Sequence, residues 1–401
     1  MTVYRCLETQ FRFGLMQMRT LTERDMLDLL VGAGILGCGG GGSAQSGLQL
    51  IKAIYGSGKQ FTLVDPNEIP EDKHLCIIGQ VGGGVEKEIT EKLRPYLSLT
   101  EKKDHVEALT GTVQKAASEL ESLMGVQFFT YVPSEIGPGN TVLPMYFAAL
   151  QGKPAIDADA CGRAKPEMSL STTNIAGIPV SPMTMANTIG DVMVLKKALD
   201  DVRGEDIARY MSVISGGMIS VARAPSSASN YKRGIVPNSI SRCIKLGSIV
   251  RISKEKGREP VELILKFDSD CTRLFHGRTK SWTRKEAGGF MWGDVKVQGT
   301  GDFRKRGLRI WFKNEYLITW VNNRAYATCP DSITVVDSRS GEGLSAWTPN
   351  LKKQLGIEVD ILGFKAHELW RTERGIDLFG PKHFGYNIKY VPVEKAAKRI
   401  G

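Results

Sequence analysis

The chain has 401 residues, of which 42% are hydrophobic and 24% charged, and its formal net charge is +10. At roughly 100–200 residues per domain this length predicts two domains, each able to bury a core of its own. The lysines and arginines are dispersed and accompany no zinc-finger, RNA-binding or basic-helix pattern, so the charge predicts a basic surface without a nucleic-acid site. No apolar run reaches the ~18 residues of a membrane span.

The seven cysteines are odd in number and widely spaced, and no C-x-x-C pair occurs. This pattern favours reduced thiols and a cytoplasmic protein. The first 20 residues have neither a continuous apolar core nor a clear helical pattern. They are interpreted as an N-terminal extension, with a weak organellar leader as the alternative, and not as a signal peptide.

Helices and strands alternate in the first half. A helix is predicted after Thr22, which forms a capping box with Asp25, and a second helix is predicted with Ser43 near its N-cap. Further elements are predicted from β-branched runs and helical spacing. They are strands at 61–65 and 74–84, helices from 86 and over 103–124, a strand from 127, a helix from 141 and a strand from 153. The alternation predicts an α/β domain over residues 21–175 with a mostly parallel sheet.

The second half has a different character. Strand and helix signals mix at first, and short strands dominate from Cys271 to Val393, for example at 272–278, 290–299 and 308–321. This pattern predicts a β-rich (α+β) C-terminal domain over residues 176–401.

A run of four glycines, Gly39, Gly40, Gly41 and Gly42, precedes Ser43 and fits G-x-G-x-x-G. Asp65 stands where a dinucleotide site would have its ribose-binding acid. The charged segment before the glycines is typical of a helix, however, whereas that fingerprint requires a strand. Two interpretations remain: tight packing of the loop, or binding of a carboxylate or oxyanion by backbone N–H groups at a helix N-terminus.

Loops that follow predicted strands carry the other candidate site residues. Ligands of open α/β sheets gather at the carboxyl ends of parallel strands, so these loops are expected to share one site. The candidates are Glu86, Glu135, Asn140, Asp157, Asp159, Arg163 and Glu167.

The loop that spans residues 157–167 contains most of these candidate side chains. Asp157 and Asp159 are two residues apart, so in an extended segment they would point the same way and could bind a divalent cation, share a proton or provide a general base. A structural turn is the alternative. Arg163 would clamp a substrate carboxylate or form a structural ion pair, and Cys161 would be a nucleophile or an inert thiol. The five histidines form no ligand-like pair, so the sequence contains no recognisable zinc triad.

The order of several motifs resembles the S-methyl thiohydantoin desulfurase family from about Leu21 to about Pro392. These motifs are GAGILGCGGGGSA, EIGPGN, PAIDADACGRAKPE, LFHGR…GGFMWGDV, FKNEYLI, CPDSITVVDS and WRTERGIDLFGPKHFGY. The resemblance implies an N-terminal α/β domain, a β-rich C-terminal domain and hydrolysis of an S-methylated thiohydantoin to a hydantoin and methanethiol. It also implies a hydantoinase/oxoprolinase-type partner. Ala160, Cys161 and Lys165 depart from the usual family motif.

The resulting hypothesis is a hydrolase for a small ring substrate. Asp157 or Asp159 would act as base, directly or through a bound metal such as zinc, and Glu135 would protonate the ring. Substrate would be bound by Asn140, Arg163, Glu167 and the Gly39–Ser43 amides. The alternatives are a nucleotide-binding oxidoreductase and a non-catalytic partner subunit of a hydantoinase-type enzyme. A homo-oligomer is a further prediction.

Overall fold

The computed structural model describes residues 17–97, 104–348 and 350–398. Helices and short strands alternate in the first two thirds of the chain. These elements are, in chain order, β1 (Met18–Leu21), α1 (Glu23–Leu36), α2 (Ala44–Gly56), β2 (Phe61–Val64), β3 (His74–Gly82), α3 (Lys87–Leu97), α4 (His105–Met124), β4 (Phe128–Pro133), α5 (Val142–Leu150), β5 (Ala155–Ile156), β6 (Ala158–Asp159), α6 (Thr172–Ile175), β7 (Met183–Ala186), β8 (Val192–Leu195), α7 (Asp201–Ile214), β9 (Met218–Ser227), α8 (Ala228–Lys232), β10 (Val236–Pro237), α9 (Ser239–Glu255) and α10 (Pro260–Phe267).

Strands dominate the remainder, as the sequence predicts. These elements are β11 (Cys271–Ala287), β12 (Phe290–Gly299), β13 (Gly307–Lys313), β14 (Glu315–Val321), β15 (Arg324–Thr328), β16 (Ser332–Asp337), β17 (Glu358–Phe364), α11 (Glu373–Phe379) and α12 (Val393–Ala397). The strands form one antiparallel sheet with the order β15–β14–β13–β12–β11–β17–β16. A β-rich C-terminal unit is therefore confirmed.

The N-terminal sheets are mixed, so the prediction of a mostly parallel sheet is wrong. In the five-stranded sheet, with the order β4–β3–β9–β7–β8, the described residues pair in parallel only between β3 and β4. In the sheet β1–β2–β5, β2 and β5 are parallel and β1 is antiparallel. The strands predicted from sequence do pair in parallel with one another. The antiparallel members β7, β8 and β9 come from residues 183–227, for which the sequence predicts a place in the second domain.

Alternating side chains of β3 connect the five-stranded sheet to two apolar clusters. Cys76 and Ile78 join the cluster that also holds α1, α2, α4 and α5, whereas Leu75 and Ile77 join the cluster that includes Val132. Such alternation is expected of a strand buried on both faces. The sheet is thereby packed on both faces, and the segments that follow β3 and β4 lie beside the glycine loop.

The predicted helix–loop–helix at the glycines is confirmed. Thr22 and Asp25 form the capping box of α1, and the Ser43 side chain caps α2 by accepting a hydrogen bond from Ser46 N–H. Gly39, Gly41 and Gly42 have φ values of 86°, 78° and 82°. Since a helix and not a strand precedes the glycines, the loop lacks the context of a dinucleotide fingerprint.

Three further predictions have a structural outcome. The six cysteines in the described part of the chain are free and buried, and Cys6 lies outside the described residues. Among the described helices, none is both long and apolar enough to cross a membrane. Of the predicted N-terminal extension, residues 1–16 lie outside the described residues, and Met18–Leu21 forms β1.

Candidate functional site: a cavity between the glycine loop and β14

A cavity of about 290 Å³ lies where the two halves of the chain meet. Its wall comes from the glycine loop, the end of β3, the loop after β4, the segment after Arg163 and the start of β14. Its polar lining residues include Ser43, Ser46, His105, Glu135, Asn140, Lys165, Glu167, Arg209, Asn314, Glu315 and Trp347. Most of them are far apart in sequence, so the cavity exists only in the folded chain.

The glycines let three backbone segments approach closely. A Cβ atom at Gly41 would lie 2.4 Å from the Cα of Gly137, and one at Gly40 would lie 2.0 Å from Oε1 of Glu315. The carbonyl oxygen of Gly41 accepts hydrogen bonds from the N–H groups of Gly139 and Asn140 at 3.1 and 3.0 Å. Any side chain here would therefore separate the loop from its neighbours.

The predicted binding residues of the glycine loop divide into two groups. Gly41, Gly42 and Ser43 line the cavity, whereas Gly39 and Gly40 do not. Gly39 lies against the ring of Tyr316, because a Cβ atom there would be 2.5 Å from that ring. The first half of the loop therefore packs, as one interpretation of the sequence predicts, and the second half faces a cavity, whereas binding of an anion by the loop stays a prediction.

Glu135 lies in the cavity wall with both carboxyl oxygens held. Asn140 Nδ2 donates to Oε1 at 2.6 Å, and the backbone N–H of Lys165 donates to Oε2 at 2.9 Å. Burial raises the pKa of Glu135, although the Lys165 charge and these hydrogen bonds oppose the increase. A raised pKa makes a carboxylate a stronger base towards a bound ligand or water.

Glu315, the first residue of β14, provides a second carboxyl group and is only 3% exposed. Burial raises its pKa well above the usual value, and the charge of Glu135 raises it further. The Gly41 N–H group and Arg163 oppose this shift without cancelling it. Burial therefore favours the neutral form of Glu315, which can donate a hydrogen bond, as in other carboxyl pairs with unequal environments.

Three buried polar atoms around the cavity have no hydrogen-bond partner among the described residues: Lys165 Nζ, Glu315 Oε2 and Trp347 Nε1. Lys165 as a whole is 5% exposed, and burial lowers the pKa of its amine. Buried polar groups in folded proteins nearly always have partners. All three atoms belong to residues that line the cavity, which makes them candidates for contact with a polar ligand.

Glu167 also lines the cavity, but its carboxylate is already paired. Its Oε1 accepts from Lys313 Nζ, and its Oε2 lies 2.8 Å from His383 Nε2. Burial disfavours the charge, yet His383 and Lys313 together lower the pKa of Glu167 to about 2. The Lys313 ammonium lies 3.9 Å from the centre of the Phe290 ring. This ion network fixes one wall of the cavity.

Asp157 and Asp159 lie outside the cavity, contrary to the expectation that they face the glycine loop. Asp157 caps α9, because Ser241 N–H donates to Oδ1 at 2.9 Å and Ser241 Oγ to Oδ2 at 2.5 Å. Asp159 Oδ2 accepts from the N–H groups of Cys161 and Gly162 at 2.8 and 2.7 Å. The two carboxylates thus have separate partners and do not form a carboxylate pair.

Arg163 is also absent from this cavity and does not form a carboxylate clamp. It is 1% exposed, and its guanidinium donates to the backbone carbonyl oxygens of Ala164, Asp331 and Tyr316 at 2.9, 2.6 and 2.8 Å. Arg163 therefore connects the acidic loop to the C-terminal sheet. The neighbouring Cys161 is buried, and burial raises the pKa of its thiol to about 12, which suits neither a nucleophile nor a metal ligand.

Several residues of the cavity carried no role in the sequence analysis. In the sequence, Lys165 is identified only as a departure from a family motif, and Glu315 only as part of the FKNEYLI motif. Ser46 and His105, whose Oγ and Nε2 atoms are 2.8 Å apart, also line the cavity. No local spacing signals these contacts, since they depend on how distant segments meet. Within the described residues, no group of three or more His, Cys, Asp and Glu side chains is arranged to hold a metal ion.

The chain is a two-domain α/β protein with a cavity lined by both halves. Family models for the N-terminal and C-terminal domains of S-Me-THD-like proteins match residues 24–197 and 199–393. The chain therefore belongs to the S-Me-THD-like family, and the resemblance noted in the sequence is confirmed.

One solved structure similar to the chain is the crystal structure of a protein from Chromobacterium violaceum, a structural-genomics target. It has a TM-score of 0.74 at 21% sequence identity, and the match covers 94% of this chain and 100% of that chain. At this identity the likeness shows the fold alone. A comparison with curated proteins gives no match.

Proposed function

We propose that the protein hydrolyses a small S-alkylated cyclic amidine of the S-methyl thiohydantoin type, which releases methanethiol and leaves a hydantoin-type ring. Membership of the S-Me-THD-like family supports this class of ring. The observation that carries the proposal is the set of three buried, unpartnered polar atoms around the cavity. A hydantoin-type ring presents carbonyl oxygens and nitrogens along its edge, and these are the partners such atoms lack.

The two carboxyl groups have complementary roles in this reaction. Water attacks the ring carbon that carries sulfur, and the Glu135 carboxylate accepts the proton of that water. Glu315, in the neutral form that its burial favours, donates to the ring nitrogen as the tetrahedral intermediate forms. When the carbon–sulfur bond breaks and the carbonyl forms, the hydroxyl proton of the intermediate passes to Glu315, and methanethiolate leaves with the proton held by Glu135, so both carboxyl groups return to their starting states. Water and substrate thus balance with hydantoin and methanethiol.

The unpartnered donors orient the ring. Lys165 Nζ and Trp347 Nε1 are buried and donate only, so each requires an acceptor from the ligand. A ring carbonyl oxygen or another anionic atom of the substrate is such an acceptor. Asn140 holds the Glu135 carboxylate at 2.6 Å and thereby fixes the direction in which its free lone pairs face the attacking water.

The deciding experiment measures thiol release from S-methyl thiohydantoins by purified protein, with and without a chelator. We expect steady thiol release, and a Lys165→Met variant with a KM raised by about tenfold or more because it loses a buried charged hydrogen bond to the ligand. Lys245→Met makes the same substitution on the exposed side of α9, outside the cavity. It is the matched control and should keep the wild-type KM.

The outcomes separate the candidate functions. Wild-type protein that neither releases thiol nor binds hydantoin or thiohydantoin in calorimetry would overturn the proposal. Loss of activity with chelator, restored by zinc, would support the prediction of a metal-assisted reaction and would move the base function from Glu135 to a metal-bound water. Binding of a nicotinamide or flavin cofactor in a titration would instead favour the oxidoreductase alternative.

A further inference from the structure

Exposed apolar side chains are concentrated in one part of the described chain, between residues 192 and 218. Apolar side chains that lie together in water commonly mark an interaction surface. The set begins on β8, continues through the β8–α7 connection and α7, and ends at the start of β9. Its members are Val192, Val194, Leu199, Val202, Tyr210, Ile214 and Met218, with exposures from 40% to 89%.

Strand β8 is also an edge of the five-stranded sheet, since β7 is its neighbour on one side only. The N–H group of Asn187 donates to the carbonyl oxygen of Asp191 at 3.2 Å, so this pair is a hydrogen-bonded pair of the β7–β8 ladder. Hydrogen-bonded and non-bonded pairs alternate along an antiparallel ladder. The N–H and C=O groups of Val192 and Val194 therefore point away from β7 and remain available to another strand.

We propose that β8 is a homodimer interface, in which it pairs antiparallel with β8 of a second copy about a two-fold axis through Val194. Val194 then faces Val194 of the second copy, and Val192 faces Lys196 of that copy. All of these positions have outward hydrogen-bonding groups, as an antiparallel ladder requires. An exposed edge with apolar side chains is a template for such pairing, and a two-fold interface uses the same patch on both copies.

Charge complementarity selects this register. With the axis at Val194, Asp191 lies opposite Lys197 of the second copy, and the symmetry forms this pair twice. An axis at Val192 would place Asp191 opposite Met193, and an axis at Met193 would place it opposite Leu195, so neither pairs the charges. One oxygen of Asp191 accepts from Asn187 Nδ2 at 2.8 Å, which leaves the other oxygen for a lysine. Lys197 forms no ion pair with any residue that the structure describes.

The test is a charge exchange, read out as molar mass by sedimentation and light scattering of the full chain. Asp191→Lys places two lysines opposite each other, and Lys197→Asp places two aspartates opposite each other, so each variant alone should weaken the dimer by about tenfold or more. A mixture of the two variants restores both opposite-charge pairs. We expect the mixture to form a heterodimer while each variant alone is shifted to monomer.

Two further variants complete the test. Val194→Pro removes the outward N–H group at the axis without removing a bond to β7, so it should keep the fold and lose the dimer. Lys52→Asp makes the same charge change on exposed α2 and should leave the dimer unchanged. A wild-type monomer over a roughly hundredfold concentration range, or a dimer that survives Val194→Pro and both charge reversals, would overturn the proposal.

Discussion

The glycine-loop cavity and the 157–163 segment look equally functional in sequence, but their polar groups are used differently in the folded chain. Around the cavity, Lys165 Nζ, Glu315 Oε2 and Trp347 Nε1 lack partners among the described residues. In the 157–163 segment, Asp157 caps a helix and Arg163 donates to three backbone carbonyl groups. A buried polar group whose hydrogen-bonding capacity is already used stabilises the fold, whereas one with unused capacity beside a cavity can contact a ligand there.

Asp159 is the intermediate case in this comparison. One of its oxygens accepts two backbone hydrogen bonds, and the other, Oδ1, has no partner among the described residues. Burial raises the pKa of Asp159 to about 6. A raised pKa is common at functional sites, but Asp159 does not line the cavity. Its raised pKa therefore reflects burial in the fold, and variants of the two regions should behave differently.

The largest expected effect is that of Glu135→Gln. The amide keeps the shape of the side chain but cannot accept the proton of the attacking water, so kcat for thiol release should fall by roughly 10²–10⁴-fold. Asp157→Asn is the control from the other region and should keep kcat within about threefold, because Asp157 contacts Ser241 and not the cavity. If kcat falls equally in Glu135→Gln and Asp157→Asn, the cavity and the 157–163 segment do not differ in function as described above.

Arg163→Met should have the next largest effect, on stability instead of turnover. The substitution leaves three backbone carbonyl oxygens at the junction of the two halves without their donor, which should lower the free energy of unfolding by about 3 kcal/mol. Denaturant unfolding measures this loss, with exposed Arg203→Met as the control. If Arg163 instead binds substrate carboxylate, KM will rise and stability will change little.

The sequence predicts local structure here better than it predicts the site. The capping box of α1 and the Ser43 cap follow from spacing of a few residues, and the parallel direction of the pairs β2–β5 and β3–β4 follows from the alternation of strands and helices. The placement of β9 between β3 and β7 does not, because it depends on pairing between distant segments. The same holds for Glu315: its raised pKa arises from its burial against Gly40 and Gly41, which no spacing near residue 315 indicates.

Glu167 should make the stability of the cavity wall depend on pH. Its folded-state pKa of about 2 is below the usual 4.5, so the stabilisation is fully present above pH 4.5 and is lost as the pH falls towards 2. Between pH 6 and pH 3 the wild type should lose about 2 kcal/mol more than Glu167→Gln. Unfolding curves at both values measure this difference, and exposed Glu342→Gln is the control. An identical acid dependence of wild type and Glu167→Gln would contradict the ion network.

Asp159→Asn should give the smallest effect, with the opposite sign. The folded-state pKa of Asp159, about 6, is above its usual value of 3.8, so stability held by the protonated form is lost as the pH rises through 6. The neutral amide avoids this loss, and its advantage over wild type should grow by about 1 kcal/mol between pH 5 and pH 8. Exposed Asp206→Asn should show no such trend.

Thiol release by Asp159→Asn should stay at the wild-type rate, because burial in the fold and not proton transfer explains the pKa of this carboxyl group. A loss of turnover as large as that of Glu135→Gln would instead make the 157–163 segment part of the site.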